Sequence, residues 1–163
     1  MTQAPPRMRV AQGPPYPALT IAKWFIAWAE AEEEELSNLK LQKLLYYAQG
    51  HHLAERQMPV FADPIQAWSH GPVVPVVYHE YKDFGRTSIE LPDDDPFTWD
   101  DVDRATSEFL STVWNTYGGY SAGRLRNMTH EEPPWRAHFR PDLHGIVIPE
   151  EEMRMFFSAR QRA

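Results

Sequence analysis

Seven histidines are the side chains of this sequence best suited to bind a metal or move a proton near neutral pH: His51, His52, His70, His79, His130, His138 and His144. A helical zinc motif sets two histidines four residues apart, and structural zinc sites add thiolates. No two of the seven have that spacing, and the chain contains no cysteine. Neither a metal site, a disulfide nor a thiolate nucleophile is therefore expected. The adjacent pair His130 and Glu131 is a candidate acid/base couple. Neighbouring residues on a loop rarely aim at one atom, which argues against that use. There is no Gly-x-Ser-x-Gly elbow and no phosphate-binding loop. Gly118, Gly119 and Gly123 lack phosphate-loop spacing and fit helix ends instead. The expectation is no catalytic residue, no metal and no cofactor, which is the profile of a binding protein rather than an enzyme.

The composition narrows the binding partner. A length of 163 residues suits one domain with one core, and 42% hydrophobic residues is too many for a wholly disordered chain. A formal net charge of −7 repels phosphate, which disfavours nucleic acid and favours a basic protein. No apolar stretch reaches the ~20 residues a membrane span requires, and no apolar N-terminal run resembles a signal peptide. The absence of cysteine is compatible with a reducing cytoplasm, and the cytoplasm is the expected compartment.

The elements that would position these groups can be read from the periodicity. Residues 1–17 hold Pro5, Pro6, Pro14, Pro15 and Pro17 and read as a proline-rich N-terminal tail. A first helix spans about 20–35, with Ile21, Phe25, Trp28 and Ala29 on one face. Its end carries Glu30 and Glu32 to Glu35, anions that oppose the helix dipole and should fray it. This acidic block reads as a solvated face in preference to a partner patch. Ser37 or Asn38 caps a second helix to about Glu55. One face of it holds Leu41, Leu44, Leu45, Ala48 and His52, and the other holds Leu39, Lys43, Tyr46 and Gly50. Apolar groups on both sides predict a helix packed on two sides. That arrangement buries Tyr46 and obliges Lys43 to find a carboxylate or carbonyl.

A short strand is predicted at 65–68 and a second at 145–148. Pro72 is expected in the first turn of a third helix that stops near Gly85. Residues 87–97 form an acidic loop. Thr98 and Asp101 make a capping box ahead of a helix that runs to about Tyr117. Further short helices follow at 121–128 and from Pro133, and a last one opens after Pro149. The fold class is mainly α: a compact single domain of about six or seven helices with a small two-stranded β element near 65–68 and 145–148.

Several blocks carry a family resemblance. The run Leu39-Lys40-Leu41-Gln42-Lys43-Leu44-Leu45-Tyr46-Tyr47-Ala48-Gln49-Gly50 is followed by Pro59, Phe61, Ile65 and Ala67-Trp68. Then come His70-Gly71-Pro72-Val73, Val76-Val77-Tyr78, Ser121-Ala122, Leu125, Thr129-His130 and Pro134-Trp135, with Ile146, Ile148 and Pro149 closing the series. In order and spacing this resembles the Panacea domain of SocA-like antitoxins, over roughly residues 19–157. With the proline-rich tail at 1–17, the resemblance implies a Panacea-like domain at 18–163. It also implies a prokaryotic or phage antitoxin of a toxin–antitoxin pair that neutralises a cognate toxin protein by direct contact. Delivery of the toxin to a protease, as an adaptor, is the alternative within the family. Many relatives carry an N-terminal DNA-binding segment, whereas here the proline-rich tail stands in that place. His70 occupies a position where relatives often have an aromatic residue. The motif residues whose role is either structural or toxin-contacting are Lys40, Gln42, Lys43, Tyr46, Tyr47, Trp68, His70, Gly71, Pro72, Tyr78, His130 and Trp135. For most of them maintenance of the fold is the favoured role.

Overall fold

A computed structural model describes residues 11–162. Its helices are α1 (Ala18–Ala31), α2 (Asn38–Arg56), α3 (Pro75–Tyr81), α4 (Arg104–Tyr117), α5 (Ala122–His130), α6 (Pro133–Arg136) and α7 (Glu150–Arg162). Strands β1 (Gln66–Trp68) and β2 (Gly71–Val73) form an antiparallel hairpin, and 3-10 turns lie at Lys82–Phe84 and Trp99–Asp101. The chain is mainly α, as the periodicity predicts.

α2 is the axle. Ser37 Oγ accepts from the Lys40 amide at its start, and Gln57 in the left-handed conformation ends it. From Leu41 to Gly50 every residue is buried, because α1, α3, α4, α5, α7 and β2 all pack around it. The expected first face is core: Leu41, Leu44, Leu45, Ala48 and His52 are fully shielded. Tyr46 and Lys43 on the other face are equally inaccessible.

Four local features differ from the periodicity. α1 stops at Ala31, ahead of the main glutamate block, and Glu33 turns the chain with a positive φ of 57°. Carboxylates at a helix C-terminus cost free energy, so the chain leaves the helix there. Pro72 lies in β2, and the helix opens instead at Pro75. Opposite pairs in an antiparallel ladder alternate between bonded and non-bonded, so a residue without an N–H fits the non-bonded place facing Ala67. The capping box of Thr98 and Asp101 starts only the 3-10 turn, and Asp103 then caps α4 through the Thr106 amide. Finally, the regular partner of β1 is β2, while residues 146–148 flank its other side. There Gln66 and Val147 form a bridge, with Ala67 N–H donating to Ile146 O at 2.9 Å and Ile148 N–H to Ile65 O at 2.8 Å.

The stretch read as a tail is partly built into the body. Residues 1–10, including Pro5 and Pro6, lie outside the described residues. Tyr16 is buried, its amide donates to Val60 O, and its hydroxyl donates to Asp103 Oδ1 at 2.5 Å. The aromatic ring supplies the apolar anchor that proline counting overlooks.

Candidate functional site

The motif residues gather where α2 meets the hairpin, α5, α6 and α7. Gln42 Nε2 donates to Asn38 Oδ1 at 2.9 Å, and its Oε1 accepts from the Val74 amide at 2.8 Å. It thereby fixes the backbone between β2 and α3. Lys43 Nζ donates to the Pro72 carbonyl at 3.1 Å, which supplies the carbonyl that its burial demands. Burial, and then the Arg126 charge, push its pKa down to about 7. Gly71 closes over this ammonium with φ +112°, and a Cβ there would lie 2.7 Å from Lys43 Cε. Only glycine fits both that conformation and that approach.

The other end of the cluster is built around a residue the sequence reading did not single out. Glu132 is only 6% exposed. Its Oε1 accepts from the Tyr46 hydroxyl and its Oε2 from the Tyr47 hydroxyl, each at 3.0 Å. Arg160 Nη1 on α7 donates to the same Oε2 at 2.9 Å. Burial still pushes the Glu132 carboxyl above its usual range, outweighing the tyrosine and arginine hydrogen bonds. Burial likewise raises both phenols well above their ordinary value, with the Glu132 charge adding to it. The phenols are thus fixed hydrogen-bond donors and not bases. Phe157 packs edge-on to both rings, and Tyr117 stacks on Tyr47 at 4.0 Å.

Trp135 Nε1 donates to the Trp68 carbonyl at 2.7 Å, tying α6 to the hairpin. Trp68 Nε1 is satisfied by Gln66 Oε1 at 2.9 Å, and its ring meets Tyr78 edge-on at 5.0 Å. Both indole donors therefore have the partner their burial requires. Lys40, half-buried, donates to Gly118 O at 2.5 Å and sits over Trp114. His70 is exposed at the hairpin tip.

His130 and Glu131 do not form a working pair. The His130 ring stacks on Trp135 at 4.0 Å with the planes 1° apart, whereas Glu131 is exposed. Burial, with Arg126, Lys43 and His70 nearby, lowers the His130 pKa and favours a neutral ring. Among the described residues, no three His, Asp or Glu side chains converge in a way that could hold a metal. No helix of the described residues is long and apolar enough to cross a membrane.

The arrangement therefore brings together Gln42, Lys43, Tyr46, Tyr47, Gly71, Pro72 and Trp135 as internal ties. Trp68, His70, Tyr78, Lys40 and His130 remain at least partly accessible. Glu132 had one visible signal, a carboxylate wedged between the His130 block and Pro133-Pro134-Trp135. Nothing in its neighbourhood pointed to Tyr46 and Tyr47, about 85 residues away.

Comparison with known proteins adds two likenesses. A family model described as "Antitoxin SocA-like, Panacea domain" matches residues 41–136, from the first turn of α2 to the end of α6. A 61-residue stretch is 43% identical to a protein named Antitoxin SocA from Caulobacter vibrioides (strain NA1000 / CB15N). That stretch is 37% of this chain and 32% of the relative, so the match spans about a third of the relative's length. No solved structure matches the chain.

Proposed function

The chain belongs to the SocA-like antitoxin family built on the Panacea domain, and from that premise we propose that it neutralises a cognate toxin protein by binding it directly in the cytoplasm. The observation that carries this reading is the family match over residues 41–136, which takes in Gln42, Lys43, Tyr46, Tyr47, Gly71, Pro72, Glu132 and Trp135 of the buried network, while Arg160 and Phe157 of α7 lie beyond it. The chemistry of that network agrees with a binding role. Its polar groups hold one another, its phenols stay protonated, and its histidine is stacked and favoured neutral. The net charge of −7 favours a basic partner.

The test is co-expression with the product of the adjacent open reading frame. Growth should be rescued, and the two proteins should co-purify with an interface of about 1,200–2,000 Å². Rescue without a complex, while the toxin level stays constant, would contradict direct neutralisation. Rescue in which the toxin disappears during a pulse–chase would identify protease delivery instead.

A further inference from the structure

Away from the buried network, three segments converge on one aromatic face. Trp24 and Trp28 of α1 stack at 4.8 Å with planes 10° apart. Trp99, in the 3-10 turn, stands edge-on to both at 6.0 Å, and Phe97 packs against it at 5.7 Å. Trp24 is buried, yet Trp99 is 46% exposed. An indole left this open on so extensive an aromatic bed is the arrangement found at interface hot spots.

The ring is also held in place. The Asp101 carboxylate accepts from the Thr98 amide at 3.2 Å in the capping box, and Asp95 Oδ1 accepts from the Phe97 amide at 2.9 Å. Asp95 is anchored in turn by Lys23 of α1 at 3.1 Å. A side chain fixed on both flanks loses little freedom on binding.

The stretch that carries Trp99 has charge of a single sign. Every ionisable side chain in residues 87–103 is a carboxylate. Glu90, Asp93, Asp94 and Asp100 are exposed, and among the described residues none of these four forms an ion pair. Glu30 of α1 joins the same face, its Oε1 accepting from the Leu91 amide at 3.1 Å. Lys23, the one cation of α1, is already paired with Asp95. A half-exposed indole in a stretch whose exposed carboxylates are unpaired matches a guanidinium or ammonium, which gains the ring quadrupole and a charge-assisted hydrogen bond together.

We infer that the Trp99 face is the docking surface for a basic protein partner, with an arginine or lysine of that partner seated on the Trp99 ring and other basic groups meeting the carboxylates of residues 87–103. This rests on the antitoxin reading, under which the partner is the toxin.

Trp99→Ala removes the anchor, and Asp93→Asn/Asp94→Asn/Asp100→Asn removes three of the exposed carboxylates while keeping the ring. Each variant is titrated calorimetrically against the purified product of the adjacent open reading frame, with melting temperatures measured in parallel. Wild type should bind more weakly at about 300 mM than at about 50 mM salt, because exposed charges are screened. Trp99→Ala should weaken binding by roughly 30-fold or more in a protein that stays folded, with its melting temperature lowered only by the lost packing on Trp24, Trp28 and Phe97. The triple variant should bind about tenfold more weakly than wild type at about 50 mM salt and with little salt dependence. If both folded variants bind as wild type does, the docking surface is elsewhere and the antitoxin reading stands. If wild type protects cells yet binds nothing, direct neutralisation fails and this docking surface fails with it.

Discussion

Phe157 occupies the space that a side chain at Gly50 would need: a Cβ built there would lie 2.0 Å from Phe157 Cε2 and 2.2 Å from Cδ2. α2 and α7 approach closely because one residue has no side chain and the other has a large flat one. Gly50→Ala must displace a fully buried ring and should destabilise by about 3 kcal/mol. Phe157→Ala should cost about 3 to 5 kcal/mol. In the Phe157→Ala background the sign of Gly50→Ala should reverse, because alanine is the better helix former by about 1 kcal/mol. Urea unfolding of the two single variants and the double variant gives the coupling directly. Additive penalties would show that the two positions do not share this space.

Glu132→Ala should be among the most destabilising polar substitutions. It strands the Tyr46 and Tyr47 hydroxyls and leaves Arg160 unpaired, at a cost of about 3 to 5 kcal/mol. Arg160→Ala should cost about 1 kcal/mol, because that side chain is 41% exposed and water replaces the lost partner. Equal losses in the two variants, measured by urea unfolding, would contradict this ranking.

Lys43 predicts a pH dependence. Its folded-state pKa is pushed down to about 7, mainly by burial, against an ordinary lysine value near ~10.4. Between those values the unfolded chain binds a proton that the folded chain does not. Stability should therefore rise with pH from about 7 to about 10 and be flat in this term below that window. Above it the buried phenols, Tyr16 and Tyr117 among them, have raised pKa values and reverse the slope. Lys43→Met should abolish the rise, which denaturant titrations at several pH values would detect. A rise that persists in Lys43→Met must come from other groups.

Tyr16 ties the segment before α1 to α4. Tyr16→Phe removes the hydroxyl that donates to Asp103 and accepts from its amide, and should cost about 1.5 to 3 kcal/mol. Deleting residues 1–17 should therefore lower the melting temperature. An unchanged melting temperature would mean that this contact contributes nothing.

Replacing His130 and Glu131 together with glutamine should leave toxin protection intact in a folded protein. The ring of His130 packs on Trp135, and Glu131 is exposed. A folded double variant that binds toxin but no longer protects would reinstate catalysis.

What was legible in the sequence was local. Ser37 as a cap, Pro133 in a short helix and the two-sided packing of α2 follow from spacing and side-chain type within a turn or two. The need for a carboxylate or a carbonyl at Lys43 was equally legible, because a buried ammonium has few options. Which carbonyl was not, since it depends on Pro72 lying in a strand and turning its oxygen towards α2. Glu132 escaped because its partners come from α2 and α7, and no periodicity joins residues so far apart. Tyr16 escaped because prolines dominate its neighbourhood and the carboxylate cap it holds, Asp103, belongs to another helix.

The close fit of α7 against α2 also sets an order of events during synthesis. Gln161 meets His51 across a separation of 110 residues, so the cover for α2 leaves the ribosome long after α2 does. Until then Tyr46, Tyr47 and Gly50 lack Phe157, and Glu132 lacks Arg160. A nascent chain that stops short of Phe157 presents an open apolar trough, a surface prone to aggregation and open to chaperones and proteases. A message cut short would yield a chain fit for removal, not a weaker version of the finished one.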